Sequence, residues 1–314
     1  MTDLVGASEI DAATAAIAPH VQRTPTVRSV GLTAALLANV SAKLELLQPT
    51  GSFKVRGAFN TVLAMSEEER SLGLIAMSAG NHAMAVAHVA RHMGVPATVC
   101  MPATAVQFKI DAVRALGATL ELVEGDLVAR TNELRDELGA SYVHPFDHAA
   151  VVAGTATIGR EIMADDPDTT VVIVPVGGGG LISGVATGVK SVAPHVRVVG
   201  VEPEEADVVA QSRAAGGPIS LSGARSIADG LAAPITGQIN LDHIEANVDE
   251  LVHVSEDDLH GAWGVVVRQG KFAVEPAAAA GVAGVLAGKI ALTAADKVCL
   301  VLSGGNADFS LLRP

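Results

Sequence analysis

The amino-acid sequence predicts an α/β protein built on parallel β-sheets that helices cover on both faces. Short apolar runs alternate with helical patterns along the whole chain, which is typical of parallel sheets buried on both faces. Several helical patterns end at a glycine, as helices do when their last turn closes with a left-handed residue. The predicted strands cover residues 42–47, 74–77, 97–101, 119–123, 142–144, 171–176, 197–202 and 297–302, and the predicted helices cover residues 83–93, 108–116, 131–138, 182–192 and 259–269.

The composition is that of a globular protein with a large core. The chain has 314 residues, of which 49% are hydrophobic and 18% charged, so it is not a disordered protein. A net charge of −13 argues against a nucleic-acid or anionic-membrane surface. The two cysteines lie inside apolar runs, which indicates buried thiols in a reducing compartment. No targeting segment is visible, and Pro175 with four glycines interrupts the uncharged stretch at 169–189, so we expect a soluble, cytoplasmic protein.

Four strand-to-helix junctions have an unusual composition, and open parallel sheets bind their ligands at such junctions. In the first, a turn at 48–51 leads to Ser52, which can cap a helix that begins at Phe53. Lys54 then lies in the first helical turn, where the helix dipole disfavours a cation. Its amine should therefore have a lowered pKa, as a Schiff-base lysine or a catalytic base needs. An exposed lysine without a role is the alternative, and position alone does not decide between them.

The second and fourth junctions present hydrogen-bonding groups. Ser78, Ala79, Gly80 and Asn81 join a strand to a helix, so several main-chain N–H groups are free to hold a carboxylate or a phosphate. Asn81 adds an amide, although an ordinary helix cap is the alternative interpretation. After the strand predicted at 297–302, Ser303 places a hydroxyl at the same edge of the sheet, where it can bond to a ring nitrogen.

The third junction consists of four glycines, Gly177, Gly178, Gly179 and Gly180, between a strand and a helix. A main chain without side chains can wrap a phosphate with its N–H groups. No Lys-Ser/Thr pair follows, so the segment is not a nucleotide P-loop. It is close to a dinucleotide fingerprint, and Glu202 ends the next strand, where a ribose-binding acid would lie. Taken alone, this junction leaves an NAD-dependent oxidoreductase as an alternative.

Taken together and in this order, the segments GSFKVRGA, SAGNH, PVGGGG and VLSGGN resemble the fold-type II pyridoxal-phosphate enzymes. The resemblance is greatest to the branch of serine/threonine dehydratases (ammonia-lyases) and serine racemases, and it covers nearly the whole chain. It implies two open, twisted, mainly parallel sheets covered by helices. It also implies a large cofactor-binding domain, residues 1–45 and 146–314, and a smaller inserted domain, residues 46–145, that carries the loop for the substrate carboxylate.

The resemblance implies a role for each junction. Lys54 would form the Schiff base with pyridoxal 5'-phosphate and, once displaced by the substrate, act as the base at Cα. Phe53 would pack beside the cofactor ring, Asn81 would bond the ring hydroxyl and Ser303 the pyridine nitrogen. The cofactor phosphate would be held by Gly177, Gly178, Gly179 and Gly180, and the substrate carboxylate by Ser78, Ala79, Gly80, Asn81 and His82.

Three departures from the family pattern narrow the expected activity. Ala79 stands where serine racemases of the family carry a second base, which disfavours racemisation. Glu202 and Ala206 match two ligands of the divalent-cation site of the racemase-like branch, but Val208 replaces the third, so no metal is expected. Ala277 lacks the hydroxyl usual in its segment and puts plain threonine specificity in question.

We therefore expect a lyase that removes water and ammonia from a β-hydroxy amino acid, L-threonine or L-serine by default, and gives a 2-oxo acid. A racemase, or a dehydratase for a modified substrate such as hydroxyaspartate, is the alternative within this chemistry. An NAD-dependent oxidoreductase and a catalytically idle binding protein are the alternatives outside it. The expected partner is a small amino-acid substrate, and the resemblance suggests a homodimer.

Overall fold

The computed structural model describes residues 3–313. The strands are β1 (Thr26–Arg28), β2 (Asn39–Leu44), β3 (Leu74–Met77), β4 (Ala97–Pro102), β5 (Thr119–Val123), β6 (Ser141–Tyr142), β7 (Val171–Pro175), β8 (Arg197–Pro203), β9 (Glu250–Val254) and β10 (Lys297–Leu302). The α-helices are α1 (Ala7–Ile17), α2 (Val30–Leu36), α3 (Lys54–Ala64), α4 (Glu67–Ser71), α5 (Asn81–Met93), α6 (Gln107–Ala115), α7 (Leu127–Leu138), α8 (Ala149–Asp165), α9 (Gly180–Lys190), α10 (Val208–Ala215), α11 (Gln238–Asn247), α12 (Glu256–Val265) and α13 (Ala280–Leu286). Short 3₁₀ turns cover Glu45–Leu47, Glu204–Ala206, Asp229–Leu231, Pro276–Ala279 and Phe309–Leu311, and a π turn covers Val266–Gly270.

The strands form two sheets. One has six strands in the order β1-β2-β10-β7-β8-β9, and the other has four in the order β5-β4-β3-β6. Every pairing is parallel except that of β1 with β2. Along β7, Val171 and Ile173 belong to one buried cluster, whereas Val172 and Val174 belong to another. The six-stranded sheet is therefore buried on both faces, and the predicted α/β class with mainly parallel sheets is confirmed.

The four-stranded sheet is built entirely from residues between Leu74 and Tyr142. In sequence it is inserted between β2 and β7 of the larger sheet. Domain bounds at residues 46 and 145 stay a prediction. The uncharged stretch at 169–189 is divided between β7, the glycine loop and α9, and no helix within residues 3–313 is long and apolar enough to cross a membrane.

The strand predictions at 74–77, 119–123 and 297–302 are confirmed by β3, β5 and β10. The strand predicted at 42–47 is wrong at both ends, because β2 covers Asn39–Leu44. After Leu44 the chain leaves the sheet and turns Glu45 inward toward Arg56. Neither β1 nor β9 was among the predicted strands, and α8 was not among the predicted helices. Residues 151–159 of α8 are all buried, so this helix lacks the polar face that makes a helical period visible.

Helices α3 and α8 approach closely because glycines meet at their contact. A Cβ atom on Gly57 would lie 2.9 Å from a methyl group of Val151, and one on Gly154 would lie 2.8 Å from the carbonyl oxygen of Arg56. Lys54 is the first residue of α3. The contact with α8 therefore sets where the Lys54 side chain begins.

A buried ionic cluster fixes the same end of α3. Arg56 donates through Nε and Nη2 to both carboxylate oxygens of Glu45, each at 2.8 Å, and also at 2.8 Å to Glu161. Burial alone would raise the pKa of the Glu45 carboxyl, but the Arg56 guanidinium lowers that pKa below its ordinary value. Lys43 donates to Glu161 as well. The cluster therefore pairs two cations with two carboxylates inside the protein.

We expect Arg56→Met to lower the free energy of unfolding by about 3–5 kcal/mol, because it leaves the buried Glu45 carboxylate unpaired. Urea unfolding followed by circular dichroism measures the change. Arg130→Met is the control, since Arg130 makes ion pairs with Glu121 and Glu133 nearer the surface and its loss should change stability little. Equal destabilisation by the two substitutions would contradict the role given to the buried cluster.

Candidate active site

The four junctions singled out in the sequence meet at one cavity of about 590 Å³. It lies at the carboxyl ends of strands from both sheets, and its size is within the about 300–1,000 Å³ usual for small-molecule sites. Its lining includes all the residues to which the sequence analysis gave a role in binding or catalysis: Phe53, Lys54, Ser78, Ala79, Gly80, Asn81, His82, Gly177, Gly178, Gly179, Gly180 and Ser303.

Main-chain hydrogen bonds tie the first junction to the fourth. The N–H of Phe53 donates to the carbonyl oxygen of Ser303 at 3.0 Å, and the N–H of Gly305 donates to that of Gly51 at 2.9 Å. The start of α3 and the end of β10 therefore lie side by side. As a result, Lys54 and Ser303 line the same cavity although they are 249 positions apart.

The side-chain cap predicted for α3 is wrong. Phe53, and not Ser52, occupies the N-cap position, and no side chain caps this helix. The Ser52 hydroxyl is buried without a hydrogen-bond partner among the described residues, while its main chain pairs with Gly304. Because the first turn of α3 also contains no acidic residue, no side chain of that turn offsets the helix dipole beside Lys54.

The Lys54 amine points into the cavity. Its Nζ donates to the carbonyl oxygen of Pro145 at 2.8 Å and lies 5.1 Å from the centre of the Phe53 ring. Burial lowers the pKa of the amine to about 8, although the Glu275 carboxylate acts in the opposite direction. Near neutral pH, Lys54 is therefore a neutral nucleophile far more often than an ordinary lysine is.

The glycine loop presents a continuous run of unpaired main-chain donors. On either side of it, the N–H groups of Val176 and Ser183 donate to the carbonyl oxygens of Val201 and Gly179. Between them, the N–H groups of residues 177–182 have no acceptor among the described residues. Such donors at the start of an eleven-residue helix form a binding site for a phosphate group.

Side chains would not fit in this loop. A Cβ atom on Gly178 or Gly180 would lie 2.7 Å from Phe146, and one on Gly177 would lie 2.9 Å from the main chain of Leu231. Gly179 has φ +93°, in the left-handed region. The loop therefore has no room for side chains while its N–H groups stay unpaired, and the phosphate of pyridoxal phosphate fits this donor set.

The second junction brings another helix N-terminus to the cavity. The N–H of Gly80 donates to the Ser78 hydroxyl at 3.1 Å. The N–H groups of Ala79, Asn81 and His82 have no acceptor within the described part of the chain. A carboxylate fits these donors, since the N-terminus of α5 also carries a positive partial charge.

The Asn81 side chain connects three junctions. Its Nδ2 donates to both carboxylate oxygens of Glu275, at 2.7 and 3.0 Å, and its Oδ1 accepts from Asn306 at 2.8 Å. Asn306 donates in turn to the carbonyl oxygen of Thr50. The Asn81 amide is therefore held in place by protein groups, and its bond to a cofactor ring hydroxyl stays a prediction.

Two histidines of the lining are neutral. The Nε2–H of His82 donates to the carbonyl oxygen of Val143 at 2.8 Å. Burial, and then the charge of Lys54, lower the pKa of His82 to about 3. Burial is also the main cause that lowers the pKa of His144 to about 4. Neither ring adds a positive charge to the cavity at neutral pH.

The Ser303 hydroxyl is free to bind a ligand. Ser303 is buried, and no hydrogen-bond partner for its side chain is found among the described residues, although its main-chain oxygen accepts from Phe53. The Phe53 ring lines the same cavity. A flat, polar-edged ring such as that of pyridoxal phosphate fits between an aromatic side chain and a free hydroxyl.

Four charged residues of the cavity lining, Lys109, Asp126, Asp229 and Glu275, had no role in the sequence analysis. Burial, and then repulsion from Asp229, raise the pKa of Glu275 to about 7. Lys109 is buried and forms an ion pair with Asp229. In the sequence, Glu275 stands out as an acid followed by Pro276 and four alanines, and this pattern could have marked it as a residue of the site. Lys109 lies in an amphipathic helix whose pattern gave no signal for a buried lysine.

Glu202 lies away from the cavity. Its carboxylate is buried, accepts the N–H groups of Val209 and Ala210 at 2.9 and 3.0 Å, and lies 3.6 Å from His253. The nicotinamide alternative needed this acid beside the glycine loop, and the structure does not place it there. Among residues 3–313, no group of three or more potential metal ligands is found.

Comparisons with known proteins agree on one family. Residues 17–304 match the model of the family described as pyridoxal-phosphate dependent enzyme. The L-threonine ammonia-lyase of Thermotoga maritima is 42% identical over 296 residues, 93% of this chain and 73% of that protein. The phenylserine dehydratase of Ralstonia pickettii is 43% identical over 271 residues, 86% of this chain and 83% of that protein.

A solved structure has the same fold along nearly its whole length. The structure of maize serine racemase superimposes with a TM-score of 0.93 at 34% identity and covers 98% of this chain and 95% of that one. The family match also identifies the cofactor for which the cavity has suitable donors. This chain belongs to the pyridoxal-phosphate dependent enzymes of fold-type II, and pyridoxal phosphate is its cofactor.

Proposed function

We propose that the protein is a lyase that converts a β-hydroxy amino acid into a 2-oxo acid and ammonia, with L-threonine and L-serine as the default substrates. The observation that carries the proposal is the Lys54 amine, which has a lowered pKa and shares its cavity with the unpaired donors of the glycine loop. A buried nucleophilic amine beside a phosphate site is what the chemistry of the cofactor requires.

Different residues of the cavity would bind different parts of the cofactor. The N–H groups of residues 177–180 would hold the phosphate, Phe53 would pack beside the ring, and Ser303 would bond to the pyridine nitrogen. Asn81 would bond to the ring hydroxyl, and the Lys54 amine would hold the cofactor through its aldehyde group. When bound, pyridoxal phosphate withdraws electrons from Cα of the attached amino acid and makes the Cα proton acidic.

Lys54 would also act as the base that accepts the proton from Cα of the substrate. A base must be neutral to accept a proton, and the lowered pKa keeps a useful fraction of this amine neutral near pH 7. The carbonyl oxygen of Pro145 accepts a hydrogen bond from Nζ. This contact directs the amine within the cavity.

The N-terminus of α5 binds the substrate carboxylate. The N–H groups of Ala79, Asn81 and His82 have no acceptor among the described residues, and they aim donors at the same cavity that Lys54 lines. Anions bind well at such helix ends. With its carboxylate held there, the substrate presents Cα to Lys54 in one orientation.

The residue at the position of the second base of serine racemases cannot transfer a proton in this chain. A racemase returns the proton to the opposite face of Cα and needs an acid on that side. Ala79 supplies only a methyl group, and His82 donates to Val143 as a neutral ring. These observations favour elimination over racemisation.

The names of two relatives support dehydration and deamination chemistry. One is an L-threonine ammonia-lyase and the other a phenylserine dehydratase. Their named substrates are both β-hydroxy amino acids, but one carries a methyl group at the β-carbon and the other a phenyl group. The two names therefore support the same elimination chemistry, whereas the group accepted at the β-carbon depends on the cavity.

We also propose that the protein is a cytoplasmic homodimer. Cys100 and Cys299 are buried free thiols, which suits a reducing compartment. The dimer is carried over from the habit of the family, and light scattering of the purified protein measures it.

We expect Lys54→Ala to slow ammonia release from the substrate by at least about 10³-fold, because the base at Cα is lost. The unchanged protein with bound pyridoxal phosphate should be yellow. Borohydride should bleach this colour by reducing the bond between the cofactor and Lys54, and peptide mapping should then find the cofactor attached to Lys54. Lys289→Ala is the control, since Lys289 is exposed and outside the cavity. Normal turnover by Lys54→Ala would refute the proposal.

We expect Glu275→Gln to move the pH dependence of kcat toward lower pH. The Glu275 carboxylate raises the pKa of Lys54, so its removal lowers that pKa further. Because the neutral amine is the active base, kcat rises as pH passes through this pKa. Asp126→Asn is the control, since it removes a carboxylate at the cavity mouth and should leave the profile in place. A shift of the Glu275→Gln profile to higher pH would contradict the assignment.

A further inference from the structure

One side of the cavity is left over after the contacts proposed for the cofactor and the substrate carboxylate. It is formed by Met77 at the end of β3, Tyr142 at the end of β6, Leu127 and Val128 at the start of α7, and Ile235 in the segment before α11. We call these five residues the apolar wall. None of them carries a charge, so this part of the cavity suits a group without one.

Two residues of the apolar wall are supported by the protein core. Leu127 and Tyr142 both pack against the same buried cluster of Ile75, Cys100 and Ala140. Their positions are therefore fixed by the core of the four-stranded sheet rather than by solvent. A wall held in this way keeps its shape when a ligand binds.

Aromatic side chains are rare in this chain, yet they gather at this cavity. The chain has six Phe, one Tyr and one Trp, and the cavity is lined by the tyrosine and by Phe53 and Phe146. The rings of Tyr142 and His144 meet edge to face at 5.7 Å, and those of His144 and Phe146 at 4.9 Å. A further ring beside Tyr142 would extend this row of edge-to-face contacts.

Two apolar side chains of the wall are partly open to solvent. Val128 is 55% exposed and Ile235 is 38% exposed, and both line the cavity. Each would lose contact with water if an apolar ligand covered it, which favours binding. A substrate as small as serine has no group that would cover them.

The cavity offers no free cation to a side-chain carboxylate. Lys54 is assigned to the cofactor, and Lys109 is paired with Asp229. His82 and His144 have lowered pKa values and are neutral. No arginine is present among the described residues that line the cavity.

Carboxylates of the protein also disfavour a substrate with a side-chain carboxylate. Glu275 and Asp126 also line the cavity, and a second negative charge on the substrate would lie near them without a counter-ion. Small side chains leave room instead, since Ala277 and Ala232 occupy positions of the lining. A neutral and bulky group at the β-carbon therefore suits the cavity better than a carboxylate does.

We propose that the preferred substrates are 3-arylserines, β-hydroxy amino acids that carry a neutral aromatic ring on the β-carbon, with L-threo-3-phenylserine as the simplest member. The apolar wall holds the ring, and the edge of Tyr142 and the thioether of Met77 contact it. The inference rests on the proposed lyase function and names the substrate class of that same site.

The reaction needs no oxidant or reductant. The Cα–H bond breaks and its proton passes to the Lys54 amine, the Cβ–O bond breaks and the hydroxyl leaves as water after protonation, and a carbon–carbon double bond forms between Cα and Cβ. One water then hydrolyses the released enamine, by way of its imine, to the 2-oxo acid and ammonia. Phenylserine thus gives phenylpyruvate and ammonia, and the water lost equals the water consumed.

The test compares four substrates with the holoenzyme: L-threo-3-phenylserine, L-threonine, L-serine and L-threo-3-hydroxyaspartate. Ammonia and the 2-oxo acid are measured as initial rates. We expect kcat/KM for phenylserine to exceed that for threonine by at least about 10-fold, as apolar pocket contacts commonly achieve, and hydroxyaspartate to be the poorest. An active enzyme that prefers threonine, serine or hydroxyaspartate overturns the arylserine proposal alone. Release of ammonia from none of the four overturns the lyase function as well.

Substitutions in α7 test whether the apolar wall is the cause of the preference. We expect Val128→Glu to lower the ratio of kcat/KM for phenylserine over threonine by about 10-fold. Leu138→Glu is the matched control, because Leu138 ends the same helix, is 48% exposed and lies outside the cavity. Thermal unfolding verifies that both variants are folded. An unchanged ratio in Val128→Glu, or an equal fall in both variants, overturns the role of the wall.

Discussion

The pairing of Arg56 with the buried carboxylate of Glu45 and the half-buried one of Glu161 is the interaction on which the rest of the site depends. A guanidinium and a carboxylate that are both hidden from water are stable only together, since either one alone would be a buried charge without a partner. Here the guanidinium belongs to α3 and one carboxylate follows β2. The helix cannot shift along α8 without breaking these bonds, and the close contact between Gly57 and Gly154 limits the same motion. The position of Lys54 in the cavity is therefore fixed, because Lys54 lies only two residues before Arg56 on the same helix.

Three helix N-termini, those of α3, α5 and α9, lie at the cavity. Most main-chain donors at the last two have no acceptor among the described residues. Partial charges at helix ends attract anions, so a phosphate and a carboxylate can bind at separate ends of one cavity. The same partial charges and the loss of water disfavour a protonated Lys54. One arrangement thus holds the anionic parts of the ligands and keeps the amine reactive.

The fold and the cofactor are shared with relatives that differ in their named activities. A shared fold identifies the chemistry that the cofactor brings but not the group that the substrate carries. In the arylserine proposal, that group meets residues outside the four cofactor junctions, at the start of α7 and at Ile235. These residues are separate in the chain from the glycine loop and from Lys54.

The sequence by itself determined the class of fold and the parts of the site that are local in the chain. Some features can be recognised from a few neighbouring residues: glycine runs, apolar segments of strand length and a lysine at a helix start. For this reason β3, β5 and β10 and the first-turn position of Lys54 were predicted correctly. Helix α8 was missed because burial on nearly all sides removes its polar face, and the Ser52 cap was wrong because that residue pairs with Gly304 across the fold. Only the tertiary structure decided that Glu275 meets Asn81, 194 positions away, and that Lys109 is neutralised by Asp229. Charges act through space, so their partners and their pKa values depend on which distant segments the packing brings together.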